Sequence, residues 1–215
     1  FNAATEASDN DVKWTKFNSG MSYKVRLFNN YSQAVMKFRN YGIYKVVNSF
    51  SAKNPSIKND KGFAESNLTP WDKASQYYAE LLFKAMDAKD TVGEKEFKQK
   101  AGLYREKERY AVAFGDLDTG LPVHFDISPK QWAGLKKIIV KFAPNLATIS
   151  FELSKSGSGK DTVVSLMPIM TNIDPLTDKQ QANFDKFNDY AFDPNVFKGF
   201  MYEIDEPEQL QLLTQ

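Results

Sequence analysis

Between Asp11 and Asp60 the chain carries no acidic residue. The 48 residues of this run hold nine basic side chains, Lys13, Lys16, Lys24, Arg26, Lys37, Arg39, Lys45, Lys53 and Lys58. They also hold nine aromatic ones, Trp14, Phe17, Tyr23, Phe28, Tyr31, Phe38, Tyr41, Tyr44 and Phe50. Over all 215 residues the signs nearly balance, with 28 Lys+Arg against 27 Asp+Glu, and a run of this length without acid therefore calls for a cause. Its pattern is that of strands. Tyr23-Lys24-Val25-Arg26-Leu27 alternates apolar and basic, Val35–Tyr41 does the same, and Ile43–Val47 resumes after Gly42, where a bulge or bend is expected. Side chains alternate between the faces of a strand. Lys37, Arg39 and Tyr41 are therefore expected on one face, with Met36 and Phe38 on the other, and Lys24 and Arg26 side by side. Cations for phosphates and flat rings for bases on one surface suit a single strand of nucleic acid. The plainer reading takes Tyr and Phe as strand formers and Lys as a solvated outer residue. It serves for any one of these positions but not for the acid-free run as a whole.

The later chain alternates short β patterns with helices. Residues 52–68 read as a loop. Thr69-Pro70-Trp71-Asp72 reads as a capped helix start, with Asp72 closing a capping box, and the helix is expected to reach about Ala88. A short helix is expected around Phe97. Residues 103–115 read as a strand with Tyr104, Glu106, Glu108 and Tyr110 on one side and a second basic row, Arg105, Lys107 and Arg109, on the other. Asp116–Gly120 is a turn into a returning strand, Leu121–Ile127. Ser128-Pro129-Lys130-Gln131 starts a helix over about 129–142, and residues 147–155 and 162–169 form a hairpin. Helix starts at Asp174 or Thr177 and at Asp193 follow. Strands and helices do not alternate strictly, so a doubly wound sheet is not expected. The fold class is mainly β with inserted helices: a five-stranded barrel over 12–170 with a helical insertion near 69–102, a flexible segment 1–11, and an acidic helical segment 171–215.

Several chemistries are excluded or weak. There is no Cys and one His, which leaves no disulfide, thiol nucleophile or Cys/His zinc site. No apolar run of ~18 residues spans a bilayer, and residues 1–11 have no apolar core of a signal peptide. Ser156–Thr162 lacks the first Gly of a phosphate-binding loop and is expected to be a hairpin tip. Asp118-Thr119-Gly120 has no second copy to supply a carboxylate pair, and Asp116–Ile127 lacks the Glu a calcium loop needs. No acid–base pair stands out, so no enzyme, cofactor or metal is expected. Charge is divided: residues 1–160 carry +8 and residues 161–215 carry −7, as in a chain that meets a polyanion at one end and mimics one at the other.

In the order of Val12-Lys13-Trp14, Tyr23–Phe28, Leu103–Phe114, Val123–Trp132 and the hairpin Ala147–Ile169, the chain resembles the helix-destabilising, single-stranded-DNA-binding proteins of tailed phages. The resemblance covers roughly residues 12–170. It implies an oligonucleotide/oligosaccharide-binding barrel, sequence-nonspecific binding of single-stranded DNA in phage replication, recombination or repair, and a place in the cytoplasm of the infected bacterial host. Some members hold zinc through Cys and His; here the capped helix at 69–88 would brace that region instead. Members can carry a basic N-terminal arm, whereas residues 1–11 are acidic, and an acidic tail that recruits replication proteins, which the acidic C-terminal segment resembles. The residues expected to bind phosphates are Lys24, Arg26, Lys37, Arg39, Lys45, Arg105, Lys107 and Arg109. Those expected to stack on bases are Tyr41, Tyr44, Tyr104 and Tyr110. The alternative is a protein-interaction or virion component that uses the same barrel without DNA.

Overall fold

A computed structural model describes residues 14–214; the segment 1–11 and Lys13 lie outside the described residues. The strands are β1 (Ser22–Arg26), β2 (Val35–Ile43), β3 (Val47–Ala52), β4 (Ile57–Lys58), β5 (Ala64–Ser66), β6 (Lys107–Asp116), β7 (Pro122–Ile127), β8 (Phe151–Ser156), β9 (Val163–Pro168) and β10 (Glu203–Ile204). The helices are α1 (Pro70–Asp87), α2 (Thr91–Tyr104), α3 (Pro129–Phe142), α4 (Asp178–Lys186) and α5 (Glu206–Leu213). They divide between two compact units. The first contains the described residues up to Phe38 together with Arg109–Phe200, and the second contains Arg39–Glu108 and the described residues from Met201. Strands β2 and β6 each begin in one unit and end in the other.

In the first unit β6, β1, β8 and β9 pair in that order, all antiparallel, and β7 pairs antiparallel with β6. Strand alternation turns Val25, Val112, Phe114, Phe125, Phe151, Leu153 and Leu166 inward as one core. Helix α3 lays Leu135 and Ile139 against it. This helix starts where expected: Ser128 caps it in a box with Gln131, and Pro129 sits at the first helical position. Helix α4, capped by a box of Thr177 and Gln180, is tied to the Asp116–Gly120 turn. Gln180 Nε2 donates to Asp118 Oδ1 at 2.7 Å, and Lys186 Nζ donates to the Gly120 carbonyl at 2.8 Å.

In the second unit β3 pairs antiparallel with β2 and parallel with β10. Its core is Tyr41, Val47, Phe50, Trp71 and Ile204. Helices α1 and α2 pack on one another, with Ser75 Oγ donating to the Ala101 carbonyl at 2.8 Å.

The strands thus form open sheets with helices, and the strand order does not close into the expected five-stranded barrel. Strands β2 and β6 do not give their whole length to one ladder, because both run on into the second unit. The expected insertion at 69–102 is part of this larger unit, 39–108, and the acidic end is shared out: α4 belongs to the first unit, β10 and α5 to the second. Three local expectations change as well. Residues 43–47 do not form one resumed strand: β2 ends at Ile43, residues 44–46 turn, and β3 starts at Val47. Lys45 takes a left-handed conformation (φ 64°) and turns the chain from β2 into β3. Gly42 (φ 139°) allows the two strands to close up, since a Cβ there would lie 3.0 Å from Ser49 Cα. The strand expected from residue 103 begins at Lys107, because α2 continues through Tyr104. Thr69 does cap α1, but the Asp72 carboxylate is engaged elsewhere and closes no box. Among the described residues no helix is long and apolar enough to cross a membrane.

Candidate functional site

The second unit contains a cleft of about 410 Å³ lined by β-segments on one side and α1 on the other. Strand β2 supplies Arg39, β4 supplies Lys58, the β4–β5 turn supplies Phe63, the α2–β6 junction supplies Arg105 and Glu106, and the start of β6 supplies Glu108. Helix α1 supplies Asp72, Ser75, Gln76, Ala79 and Phe83, at the three- and four-residue spacings that share a helix face. Gln76 Nε2 donates to the Ala64 carbonyl at 2.8 Å and ties the turn segment to the helix.

The floor is a closed polar network. The buried Asp72 carboxylate accepts from Tyr41 OH at 2.8 Å and from Ser56 Oγ at 2.6 Å, and Lys58 Nζ lies 3.6 Å away. Thr69 Oγ1 donates to Tyr41 OH at 3.1 Å, and Thr69 N donates to Ser56 Oγ at 2.9 Å. Lys58 Nζ also pairs with Glu106 at 2.9 Å, and Arg39 reaches the same carboxylate at 3.6 Å. Burial, reinforced by the Asp72 and Glu106 charges, pushes the Tyr41 phenol well above its ordinary range. Tyr41 is thus a neutral donor. With the Asp72 and Glu106 carboxylates engaged by cations or hydroxyls, the buried polar groups of the floor are satisfied as they must be.

The mouth differs. Phe63 and Phe83 are 54% and 63% exposed. The exposed Arg105 guanidinium lies 5.8 Å from the centre of the Phe63 ring, within cation–π reach. At the β2–β3 turn of the same unit, Tyr44 is 86% exposed and Lys45 Nζ lies 5.4 Å from its ring centre. Both aromatic–cation pairs face solvent.

The twelve residues expected from sequence fare unequally. Arg39 and Arg105 come together at the cleft, and Tyr44 and Lys45 form the turn pair. Tyr41 is buried in the floor and presents no face to a base, because Asn40–Gly42 are covered on both sides. Tyr104 is half-buried, stacked on Tyr78 at 5.6 Å and edge-on to Trp71. Lys107 donates to the Gly42 carbonyl at 2.8 Å. In the first unit Lys24 is paired with Asp174 at 3.0 Å and Arg109 with Asp126 at 2.7 Å. Tyr110 is half-buried and stacked on Trp132 at 5.7 Å, and Lys37 is exposed.

Arg26 is a correction: it is fully buried and meets no solvent phosphate. Its guanidinium donates to the Phe184 carbonyl and, at 2.7 Å, to Asn188 Oδ1, and lies 4.2 Å from the centre of the Phe184 ring. Desolvation lowers its pKa, opposed by the Asp185 charge. The sheet face that alternation assigned to solvent is covered at this point by α4 and the residues after it.

Sequence reasoning missed Phe63, Phe83 and Lys58 as site residues. A ring next to Lys61-Gly62 in an otherwise polar loop is the signal that could have drawn attention to Phe63; Phe83 had none.

Compared with known proteins, the chain matches no protein-family model and no curated sequence.

Proposed function

We propose that this chain is a non-enzymatic protein that binds single-stranded DNA without sequence preference, in phage DNA replication, recombination or repair inside the infected host. One observation carries the reading. Around the mouth of the second unit's cleft, two phenylalanine rings, Phe63 and Phe83, stand in water, Phe63 beside the exposed Arg105 guanidinium, above a floor whose carboxylates are already engaged. Exposed rings are costly in water, whereas a base has a π face that any ring can stack on and a phosphate suits Arg105. The volume lies in the range of ~300–1,000 Å³ typical of small-ligand sites, so a base fits within it. The Tyr44–Lys45 pair offers a second contact of the same kind. We read the antiparallel ladder β6-β1-β8-β9 with β7 as the counterpart of an oligonucleotide-binding barrel core. The exposed Asp189, Asp193, Glu203 and Glu206 are what the acidic end offers a replication or recombination protein.

The test is intrinsic fluorescence titrated with oligo-dT at several salt concentrations. Affinity is expected to fall with a log–log slope of ~0.7 per phosphate contacted. Phe63→Ala with Phe83→Ala is expected to weaken binding by ~1–3 kcal/mol per stacked base without lowering the melting temperature. Absence of binding at low salt overturns the proposal.

A second reading has its own support. The cleft lining balances Arg39, Lys58 and Arg105 against Asp72, Glu106 and Glu108, and a neutral, ring-bearing cleft also suits a protein partner. A salt-insensitive protein complex without oligonucleotide binding would favour that alternative.

A further inference from the structure

A second acid-free run lies between Asp126 and Glu152, and its only charged residues are Lys130, Lys136, Lys137 and Lys141. All four fall on α3 and all are exposed. No ion pair among the described residues includes them. At 3.6 residues per turn, Lys130, Gly134, Lys137 and Lys141 fall within an arc of about 60°, and the three lysines are spaced by about 10 Å and about 6 Å along the axis. Gly134 leaves the middle of this ridge open, since a Cβ there would meet nothing within 4 Å. The opposite face is anchored by Leu135 and Ile139 in the core of the first unit. The ridge is thus a straight cationic edge on a fixed support.

Helix stability does not explain it. Lys130 sits in the first turn, where the helix dipole repels a cation. Lys137 and Lys141 stand four residues apart, where like charges destabilise a helix. At positions 130 and 137 a helix with only packing to serve would gain from Glu; Lys141 alone, in the last turn, is favoured by the dipole. Lysine is also depleted at protein–protein interfaces, whereas phosphate backbones are met by such point charges. We infer that the α3 ridge is a track for the phosphate backbone of the bound single strand, separate from the residues that stack on bases. This inference rests on the single-stranded-DNA reading above and adds a site in the first unit.

The full chain is titrated with oligo-dT of about 8 and about 40 nucleotides, the shorter falling inside the ~4–16 nucleotides one binding module covers. The variants are Lys130→Gln/Lys137→Gln/Lys141→Gln and a charge-matched control, Lys89→Gln/Lys95→Gln/Lys98→Gln, which removes three exposed lysines of the second unit. On the long oligonucleotide the ridge variant is expected to lose about 2 from the salt slope, the worth of three phosphates at ~0.7 each. At ~0.1 M salt this corresponds to roughly 100-fold weaker binding, and the control is expected to keep the wild-type slope. Thermal melting confirms that both variants are folded. If wild type binds and the ridge variant keeps its slope and affinity, the ridge inference is overturned while the stacking site stands. An equal loss of slope in both variants overturns it too, since charge alone then accounts for the effect. If wild type binds neither oligonucleotide, both proposals fall together.

Discussion

Arg26 illustrates how a cation on an alternating strand becomes a structural post. Its carbonyl and amide partners lie at Phe184 and Asn188, and together they hold the last turn of α4 and the residues after it on β1. Hydrogen bonds to a charged group contribute ~1.5–3 kcal/mol each, so Arg26→Gln is expected to cost roughly 3 kcal/mol in urea unfolding. Any loss of oligonucleotide binding should track the unfolded fraction. His124 gives a pH prediction. Its ring packs against Phe200 at 4.9 Å and near Phe192 and Phe197, and its buried Nε2 has no hydrogen-bond partner among the described residues. Burial lowers its pKa below the ordinary 6.5. The unfolded chain therefore binds the proton more readily than the folded one. The resulting stability is complete above pH ~6.5 and is lost as pH falls below it through the folded value. His124→Phe is expected to flatten the fall in melting temperature between pH 7 and pH 5; an unchanged fall would exclude His124 as its source.

Among the elements, the β2–β3 hairpin separates folding from binding most clearly. Gly42 permits the close approach of its strands, while Tyr44 at the turn touches little and is 86% exposed. Tyr44→Ala is expected to leave the melting temperature within about 1 °C, a surface effect below ~0.5 kcal/mol. It should weaken oligo-dT binding by ~1–3 kcal/mol if the ring stacks on a base. Strand β6 shows the opposite behaviour. A Cβ on Gly115 would lie 2.6 Å from the Phe187 ring. Gly115→Ala is therefore expected to cost ~1–3 kcal/mol by overpacking, visible as a lower urea midpoint with the same slope. The helix starts at Thr69, Ser128 and Thr177 are legible in the sequence, whereas the start expected at Asp193 opens only a 3-10 stretch, Pro194–Phe200, and the capped start of α5 at Asp205 went unread. Ser128 and Thr177 both cap helices through boxes closed three residues later, since a cap needs only its own first turn. Asp72 had the right type and spacing to close a third box but was drawn away by Tyr41 and Ser56, which lie 31 and 16 residues distant.

For the molecule as a whole, the acidic end is the instructive case. Its last part is built into the second unit: Ile204 is buried with Phe50 and Trp71, and Trp71 Nε1 donates to the Gln209 carbonyl at 3.2 Å. Ending the chain after Phe200 is expected to expose Trp71 and red-shift its emission. Amide exchange should speed up in β3 and α1 while β8 and β9 keep their protection; unchanged exchange in β3 would contradict that packing. The division of the chain into two units, with residues 39–108 and the C-terminal end brought together, had no local mark in composition or turn residues.

Strand alternation, capping residues, turns and the acid-free runs are written in neighbouring residues, and so the capped helices, the longer strands and the sign of each surface segment could be read from the chain, whereas β4 and β5, within the expected loop 52–68, and β10 could not. Which cations stay free could not. Lys24 is neutralised by Asp174, 150 residues away, and Arg26 is covered by Phe184, 158 residues away, while Lys58 and Arg39 from the acid-free run meet Glu106 from outside it. Charge pairing and burial are properties of three-dimensional neighbourhoods, and those form only when distant segments pack.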